Sequence, residues 1–160
     1  MTAAARRDAA EQARLETLLK QVFEERISFN QLLGLKVDSL VPGDVRLSLA
    51  MKPELVGNFV QGRLHGGVIS TVLDALGGLS LMVAIAERHP ADNAMQVLNR
   101  FAKMGTIDLR VDFLRQGLGQ RFIGHSEVTR LGGRVGSTQM RLLNDEGTLI
   151  ATAAAAYIVS

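Results

Sequence analysis

The sequence contains no cysteine among its 160 residues. A chain without cysteine has no thiolate nucleophile, no thiolate-bound metal and no disulfide. The absence also fits a reducing compartment, where disulfides do not persist. We therefore expect a cytoplasmic protein that uses no thiol chemistry of its own.

Aromatic residues are also few, and neither sign of charge is in large excess. The chain has six phenylalanines and one tyrosine, and its 18 basic and 16 acidic residues leave a formal net charge of only +2. The basic residues are scattered along the chain. Because there is no aromatic stacking platform and no positive stripe to follow phosphates, we expect no binding of nucleic acid.

The sequence offers no clear targeting or membrane segment. Its first residues carry charges where a signal peptide needs an apolar core. The longest apolar stretch covers residues 76–86, whereas a helix that spans a bilayer takes about 20 residues. We therefore expect neither export nor a membrane span.

The apolar residues that are present first predict a helix and a hairpin. Residues 3 to about 31 have the spacing of an amphipathic helix with balanced charges, which favours an outer helix docked on the protein over a membrane anchor. Residues 35–41 and 45–51 alternate apolar and polar positions around a Pro42-Gly43-Asp44 turn. This alternation is typical of a half-buried antiparallel hairpin.

A long apolar segment and repeated strands follow. Residues 66–86 are apolar almost throughout and predict a buried helix. Residues 88–105 form a polar, irregular connection with room for a short helical turn. Period-two alternation and turn residues then predict four strands, over residues 107–113, 121–131, 134–143 and 148–159.

This order of elements predicts an α+β protein in which an antiparallel sheet curls around one buried helix. The last strand is rich in alanine, and such small residues suit a backbone that lies very close to a helix. No repeat or linker divides the chain. We expect a single domain over residues 1–160, with an N-terminal helix in 1–30 and the core in 31–160.

Asp74 is the only formally charged side chain between Arg63 and Glu87, in the middle of the most apolar segment. Burying an unpaired carboxylate costs several kcal/mol, so its presence asks for a reason. Its helical neighbours are small residues, unlike the lysines and glutamates of a solvated face: Ser70, Thr71, Gly77 and Gly78. Asp74 is therefore predicted to attack a carbonyl or to take a proton from water.

His65, Gly66 and Gly67 stand at the start of the same predicted helix. Glycine amides at a helix start are unobstructed, and the helix dipole places about half a positive charge there. These amides could hold the oxyanion that forms when a thioester carbonyl is attacked. Taken alone, a His-Gly-Gly triplet is more often an ordinary turn into a helix.

The combination is more specific. A His-Gly-Gly triplet with an aspartate nine residues after the histidine, the strand over residues 106–114 and an alanine-rich last strand resemble the PaaI-type branch of the hot-dog thioesterases. The polar insert over 88–105 and the N-terminal helix are similar to the YigI group of acyl-CoA thioesterases. The resemblance covers about residues 30–160. It implies a hot-dog fold and hydrolysis of acyl-CoA thioesters without a cofactor.

The resemblance also implies roles for the residues of the triplet and the helix. Asp74 would be the nucleophile or the general base, and the Gly66 amide would donate to the oxyanion. Gly67 would keep the backbone clear for the substrate. His65 would orient the thioester or assist the leaving thiolate.

Further residues are implied to touch the water or the substrate. Asn58 would bind the attacking water or the carbonyl, with Gln61 as a competing candidate. Thr106 would help to hold the water, and Ser70 would line the substrate groove. Arg130 and Arg134 flank a Gly-Gly turn and are candidates for the coenzyme A phosphates, because guanidinium groups suit phosphates. His89 and His125 lack the spacing of metal ligands, so we expect no metal site.

The spacing of the two catalytic groups predicts an oligomer. Asp74 lies eight residues beyond Gly66, which is roughly 12 Å along a helix. A reacting carbonyl must lie about 3 Å from both groups, so one helix cannot supply them both. We expect a homo-oligomer in which each site takes its groups from two copies. A dimer satisfies this condition, and so does a dimer of dimers.

Two other functions remain open from the sequence. Related hot-dog proteins hydrate or dehydrate enoyl thioesters, and a module that binds acyl-CoA without turning it over is a third possibility. The helix is apolar and aromatic residues are few, which favours medium or long aliphatic chains over aryl groups as the acyl part.

Overall fold

The computed structural model describes residues 6–160. Its first helix, α1 (Ala9–Gln21), begins with an aspartate cap, because the Asp8 side chain accepts from the Glu11 amide. The helix continues through a π-helical turn, Val22–Arg26, and then stops at Ile27, whose backbone is extended. A second helix, α2, covers Ser28–Leu33.

The single helix predicted over residues 3–31 is therefore wrong in detail. Residues 3–5 lie outside the described residues, and the rest is divided at Ile27. Gly34 ends α2 with a φ of 75°, a left-handed conformation that glycine adopts without strain. The N-terminal segment packs by Leu15, Leu19 and Phe23 onto the core of the protein.

The predicted hairpin is present as β1 (Lys36–Val41) and β2 (Asp44–Ala50). A 3₁₀ turn at Pro53–Leu55 then leads into a short hairpin that the sequence pattern did not predict. Its strands, β3 (Val56–Asn58) and β4 (Arg63–Leu64), are too short to show any alternation.

The central helix α3 covers Gly66–Arg88, as predicted, with twelve buried residues along it. The polar connection after it contains a real helix, α4 (Ala94–Phe101), where only a short turn was expected. Asn93 and Gln96 cap α4 reciprocally, so polar residues rather than apolar spacing define where it begins.

Four long strands complete the fold: β5 (Gly105–Phe113), β6 (Arg121–Leu131), β7 (Val135–Asn144) and β8 (Leu149–Ile158). Together with β1 and β2 they form one six-stranded antiparallel sheet in the order β1-β2-β6-β7-β8-β5. The sheet packs around α3, as the order of elements predicts. Strand β5 lies at one edge of the sheet and β1 at the other.

Helix and sheet approach each other most closely at Gly77. A Cβ atom added there would collide with Tyr157 Oη and would lie 2.8 Å from Met140 Sδ. The alternate alanines of β8, Ala151, Ala153 and Ala155, are buried. That they allow the close approach of the helix stays a prediction, because the atoms nearest to Gly77 belong to Tyr157, Met140 and Thr138.

Helix α3 is longer than the apolar stretch of residues 76–86 on which the expectation about membrane spans rests. By length and composition alone it could cross a membrane, since an 18-residue window has a mean hydropathy of 2.0. However, 61% of this window is buried within the protein, and a helix at the centre of a protein core can have the same length and composition.

Candidate active site

Asp74 lies in the ninth position of α3 and is half-buried. Thr106, near the start of β5, donates a 2.8 Å hydrogen bond from Oγ1 to Asp74 Oδ1. The carboxylate is therefore neither unpaired nor fully buried, in contrast to the reasoning from its apolar surroundings. The bond places Thr106 beside Asp74 and occupies one carboxylate oxygen. The other oxygen, Oδ2, is therefore available to bind water or a substrate.

Tyr157 supports the same segment of α3 and was missed from the sequence. Its buried hydroxyl donates a 2.9 Å hydrogen bond to the backbone carbonyl of Asp74. Burial, together with the Asp74 charge, raises the pKa of Tyr157 well above its usual range, so the hydroxyl stays protonated and remains a donor. The sequence feature that distinguishes Tyr157 is that this one tyrosine of the chain interrupts an alanine-rich strand.

A pocket of about 290 Å³ opens beside Asp74. Its walls come from α3, the start of β5, the N-terminal segment and the end of α4, and they include Phe23, Ile27, Asn30, Thr71, Asp74, Gly78, Phe101, Met104 and Thr106. Phe23 and Phe101 contact each other in this wall, with ring centroids 5.6 Å apart. The pocket is mostly apolar and has one carboxylate, which suits an apolar substrate with a reactive group at one end.

The His65-Gly66-Gly67 triplet lies at the other predicted position, the start of α3. His65 caps the helix, because its Nδ1 accepts the Gly67 amide at 2.9 Å. The Gly67 amide is thus already bonded to the His65 ring. Gly66 is the first residue of the helix, where the dipole makes its amide a suitable donor to an oxyanion.

Asn58 is the last residue of β3, and Gln61 lies in the loop between β3 and β4. Asn58 Oδ1 accepts the amides of Val60 and Gln61, at 3.1 and 3.2 Å, and so holds the loop in a turn. The Gln61 side chain is exposed. The Ser70 hydroxyl donates a 3.0 Å hydrogen bond to the Gly66 carbonyl, so it is engaged within the helix.

The predicted residues therefore fall into two groups within one chain. Asp74 and Thr106 form the first group, and the β3–β4 loop with the start of α3 forms the second. Neither His65 nor Gly66 lines the pocket beside Asp74. Because Gly66 and Asp74 are the first and ninth residues of one unbroken helix, they remain roughly 12 Å apart along its axis.

The two arginines predicted to bind phosphate are exposed, and neither lines this pocket. Arg130 and Arg134 flank the β6–β7 turn. A larger cleft of about 620 Å³ lies beside that turn, but its cations are Arg88, Arg100 and Lys103. Size alone does not make it the reactive site, because it contains neither Asp74 nor the start of α3.

Comparison with known proteins identifies the family of the chain. Residues 61–151 match the model of the thioesterase superfamily. Over 142 residues the chain is 38% identical to the medium/long-chain acyl-CoA thioesterase YigI of Escherichia coli strain K12, covering 89% of this chain and 92% of that protein.

Solved structures show the same fold. A Shewanella oneidensis protein related to the thioesterase superfamily has a TM-score of 0.88 and 38% identity, over 96% of this chain and all (100%) of that one. The Escherichia coli PaaI protein of the phenylacetic acid degradation operon has a TM-score of 0.70 at 14% identity, over 92% and 94% of the two chains, and supports the fold alone. The predicted family and the predicted hot-dog fold are confirmed: this chain belongs to the thioesterase superfamily and is a thioesterase.

Proposed function

We propose that this protein hydrolyses medium- and long-chain acyl-CoA thioesters to the free acid and coenzyme A, at sites shared between two copies of the chain. The observation that carries the proposal is the Asp74 carboxylate, held by Thr106 in the wall of an apolar pocket in a thioesterase fold. The similarity to YigI supports acyl-CoA as the substrate class.

In the proposed reaction, Asp74 acts on the thioester carbonyl in one of two ways. As a general base it takes a proton from water, and the resulting hydroxide attacks the carbonyl carbon. As a nucleophile it attacks that carbon itself, and water later hydrolyses the mixed anhydride. In both cases the C–S bond breaks, the coenzyme A thiolate leaves and takes up a proton, and the oxyanion is stabilised by the Gly66 amide.

The size and character of the pocket support an aliphatic acyl group. Its volume of about 290 Å³ corresponds to roughly ten water volumes of about 30 Å³ each. A saturated chain of similar atom count would lie against Phe23, Ile27 and Phe101. This favours medium chains, and longer chains would extend out of the open pocket.

The sheet edge supports a dimer. Strand β5 has no neighbouring strand on its outer side within residues 6–160, and Ile107 and Phe113 are 58% and 56% exposed there. On the β3–β4 loop, Phe59 and Val60 are 91% and 79% exposed. An unpaired edge flanked by exposed apolar residues is typical of a surface that pairs with another chain.

A two-fold pairing of β5 with itself would bring the two groups of site residues together. If the axis passes through Leu109, the middle of the strand, Asp108 lies opposite Arg110 of the partner subunit, so the charges are complementary. Gly105 then lies opposite Phe113 of the partner subunit. Because Thr106 bonds Asp74 and Phe113 packs beside Gly66, the carboxylate of one copy meets the oxyanion donor of the other.

The proposal is tested by the Asp74→Asn variant with decanoyl-CoA as substrate. We expect release of free thiol by the wild-type protein, a loss of turnover of at least about 10³-fold in the variant, and an unchanged melting temperature. Turnover within a few-fold of wild type would remove Asp74 from the mechanism. With 2-decenoyl-CoA as substrate, a loss of enoyl absorbance without thiol release would instead favour hydration of enoyl thioesters.

A further inference from the structure

Asn30 is a buried polar residue in the wall of the Asp74 pocket. It lies in α2, is 4% exposed, and lines the pocket together with Asp74 and Thr106. Its side-chain nitrogen Nδ2 has no hydrogen-bond partner among the described residues. A buried polar atom without a partner is unusual in a folded protein and calls for an explanation.

The hydroxyl groups of the pocket are, by contrast, already used. Thr71 donates to the Gly67 carbonyl at 2.9 Å, and Thr106 donates to Asp74 Oδ1 at 2.8 Å. Tyr157 donates to the Asp74 carbonyl at 2.9 Å. Asn30 is therefore the side chain of this pocket, within residues 6–160, that retains unused N–H donors.

The amide of Asn30 can reach a molecule in the pocket. The terminal torsion of asparagine is broad and roughly two-fold, so a half-turn exchanges Nδ2 and Oδ1 without moving the backbone. A leucine of similar size would fill the same wall without any polar atom to desolvate. Burying this N–H donor in an apolar wall therefore costs free energy, unless a bound molecule supplies an acceptor for it.

The neighbours of Asn30 in the pocket wall indicate which part of the substrate it meets. Asn30 belongs to the N-terminal segment, which also contributes the apolar side chains of Phe23 and Ile27 to the pocket. An acyl chain that packs against Phe23 and Ile27 would pass Asn30.

We propose that Asn30 donates a hydrogen bond to an oxygen on the acyl chain, so that hydroxy- or oxo-substituted acyl-CoA is preferred over the unsubstituted thioester. This inference rests on the proposed function. A site built to bond a substrate oxygen rejects the analogue that lacks it, because the buried donor is then left unpaired.

The test compares kcat/KM for decanoyl-CoA with values for its 3-hydroxy, 3-oxo, 5-hydroxy and 10-hydroxy derivatives. We expect the wild-type protein to prefer at least one oxygenated substrate by about ten-fold or more. In Asn30→Leu the ratio of oxygenated to unsubstituted kcat/KM should fall to about one. Because both values come from one preparation, the ratio does not depend on the fraction of active protein.

Ser80→Ala is the matched control, because Ser80 is also buried with an unpartnered hydroxyl but does not line this pocket. It should keep the wild-type ratio. If Asn30→Leu does not fold, Asn30→Ala takes its place with the same expectation.

Hydrolysis of decanoyl-CoA without any oxygen preference, or a preference retained in the Asn30 variant, would overturn this inference alone. Failure to hydrolyse any acyl-CoA would overturn the proposed function with it.

Discussion

At the scale of single residues, the bond between Thr106 and Asp74 defines the candidate site, and it joins two residues 32 positions apart. The isolation of Asp74 in an apolar segment is visible in the sequence, and so its importance could be predicted. Its partner could not be derived in that way, because only the packing of β5 against α3 brings Thr106 close. Thr106 was implied by family resemblance, and Tyr157 was missed because a tyrosine in a buried strand looks like core.

Thr106→Val is expected to reduce turnover by about 10- to 100-fold without unfolding the protein. Valine has the shape of threonine but cannot donate to Asp74, and a hydrogen bond to a charged group contributes about 1.5–3 kcal/mol. The measurement is kcat for decanoyl-CoA together with the melting temperature. Thr71→Val is the control, because Thr71 lines the same pocket but bonds only to its own helix; equal losses in both variants would contradict a specific role for Thr106.

Two glycines of α3 should respond to alanine in opposite ways. A Cβ at Gly66 would contact the Phe113 ring at 3.4 Å, an ordinary distance, so Gly66→Ala should fold but lose turnover as its methyl crowds the thioester. Gly77→Ala would collide with Tyr157 and should lower the melting temperature markedly. Kinetics and thermal unfolding of both variants check this. A stable, fully active Gly66→Ala would place the oxyanion donor elsewhere.

At the scale of helices and strands, period-two alternation made the long strands predictable, whereas the pocket wall was not. The π-helical turn at Val22–Arg26 has the same apolar spacing as an α-helix, so the sequence does not distinguish them. Helix α4 is defined by its polar caps, which a search for apolar periodicity overlooks. Both elements contribute to the pocket, through Phe23 and Phe101.

The Phe101→Ala variant should accept longer acyl chains than the wild-type protein. Removing the ring from the end of α4 opens the wall that it forms with Phe23, and frees roughly three water volumes of about 30 Å³ each. We expect the chain length of maximal kcat/KM to rise by about two to four carbons. Activities on acyl-CoAs from four to eighteen carbons would show the shift. Met95→Ala, an exposed change on the same helix, should leave the profile in place, and an unchanged profile in Phe101→Ala would contradict the assignment of this wall.

At the scale of the whole molecule, the order of elements was enough to predict a sheet curled around one helix. The pairing order of the strands was not, because local patterns do not say that β6 joins β2 or that β8 joins β5. The separation of Gly66 from Asp74 could be derived from helix geometry alone, and the unbroken α3 agrees with it. The edge position of β5, which offers a way to join two copies, became visible only in the structure.

Subunit mixing tests the shared site most directly. Asp74→Asn and the double variant His65→Ala/Gly66→Ala should each be nearly inactive alone. After subunit exchange at equal concentrations, about half of the dimers are mixed, and each mixed dimer has one fully wild-type site if the groups come from different copies. Activity should then return to roughly a quarter of the wild-type value, by the pairing of a two-fold interface. No recovery despite proven exchange would show that both groups act within one chain, and would contradict the shared site.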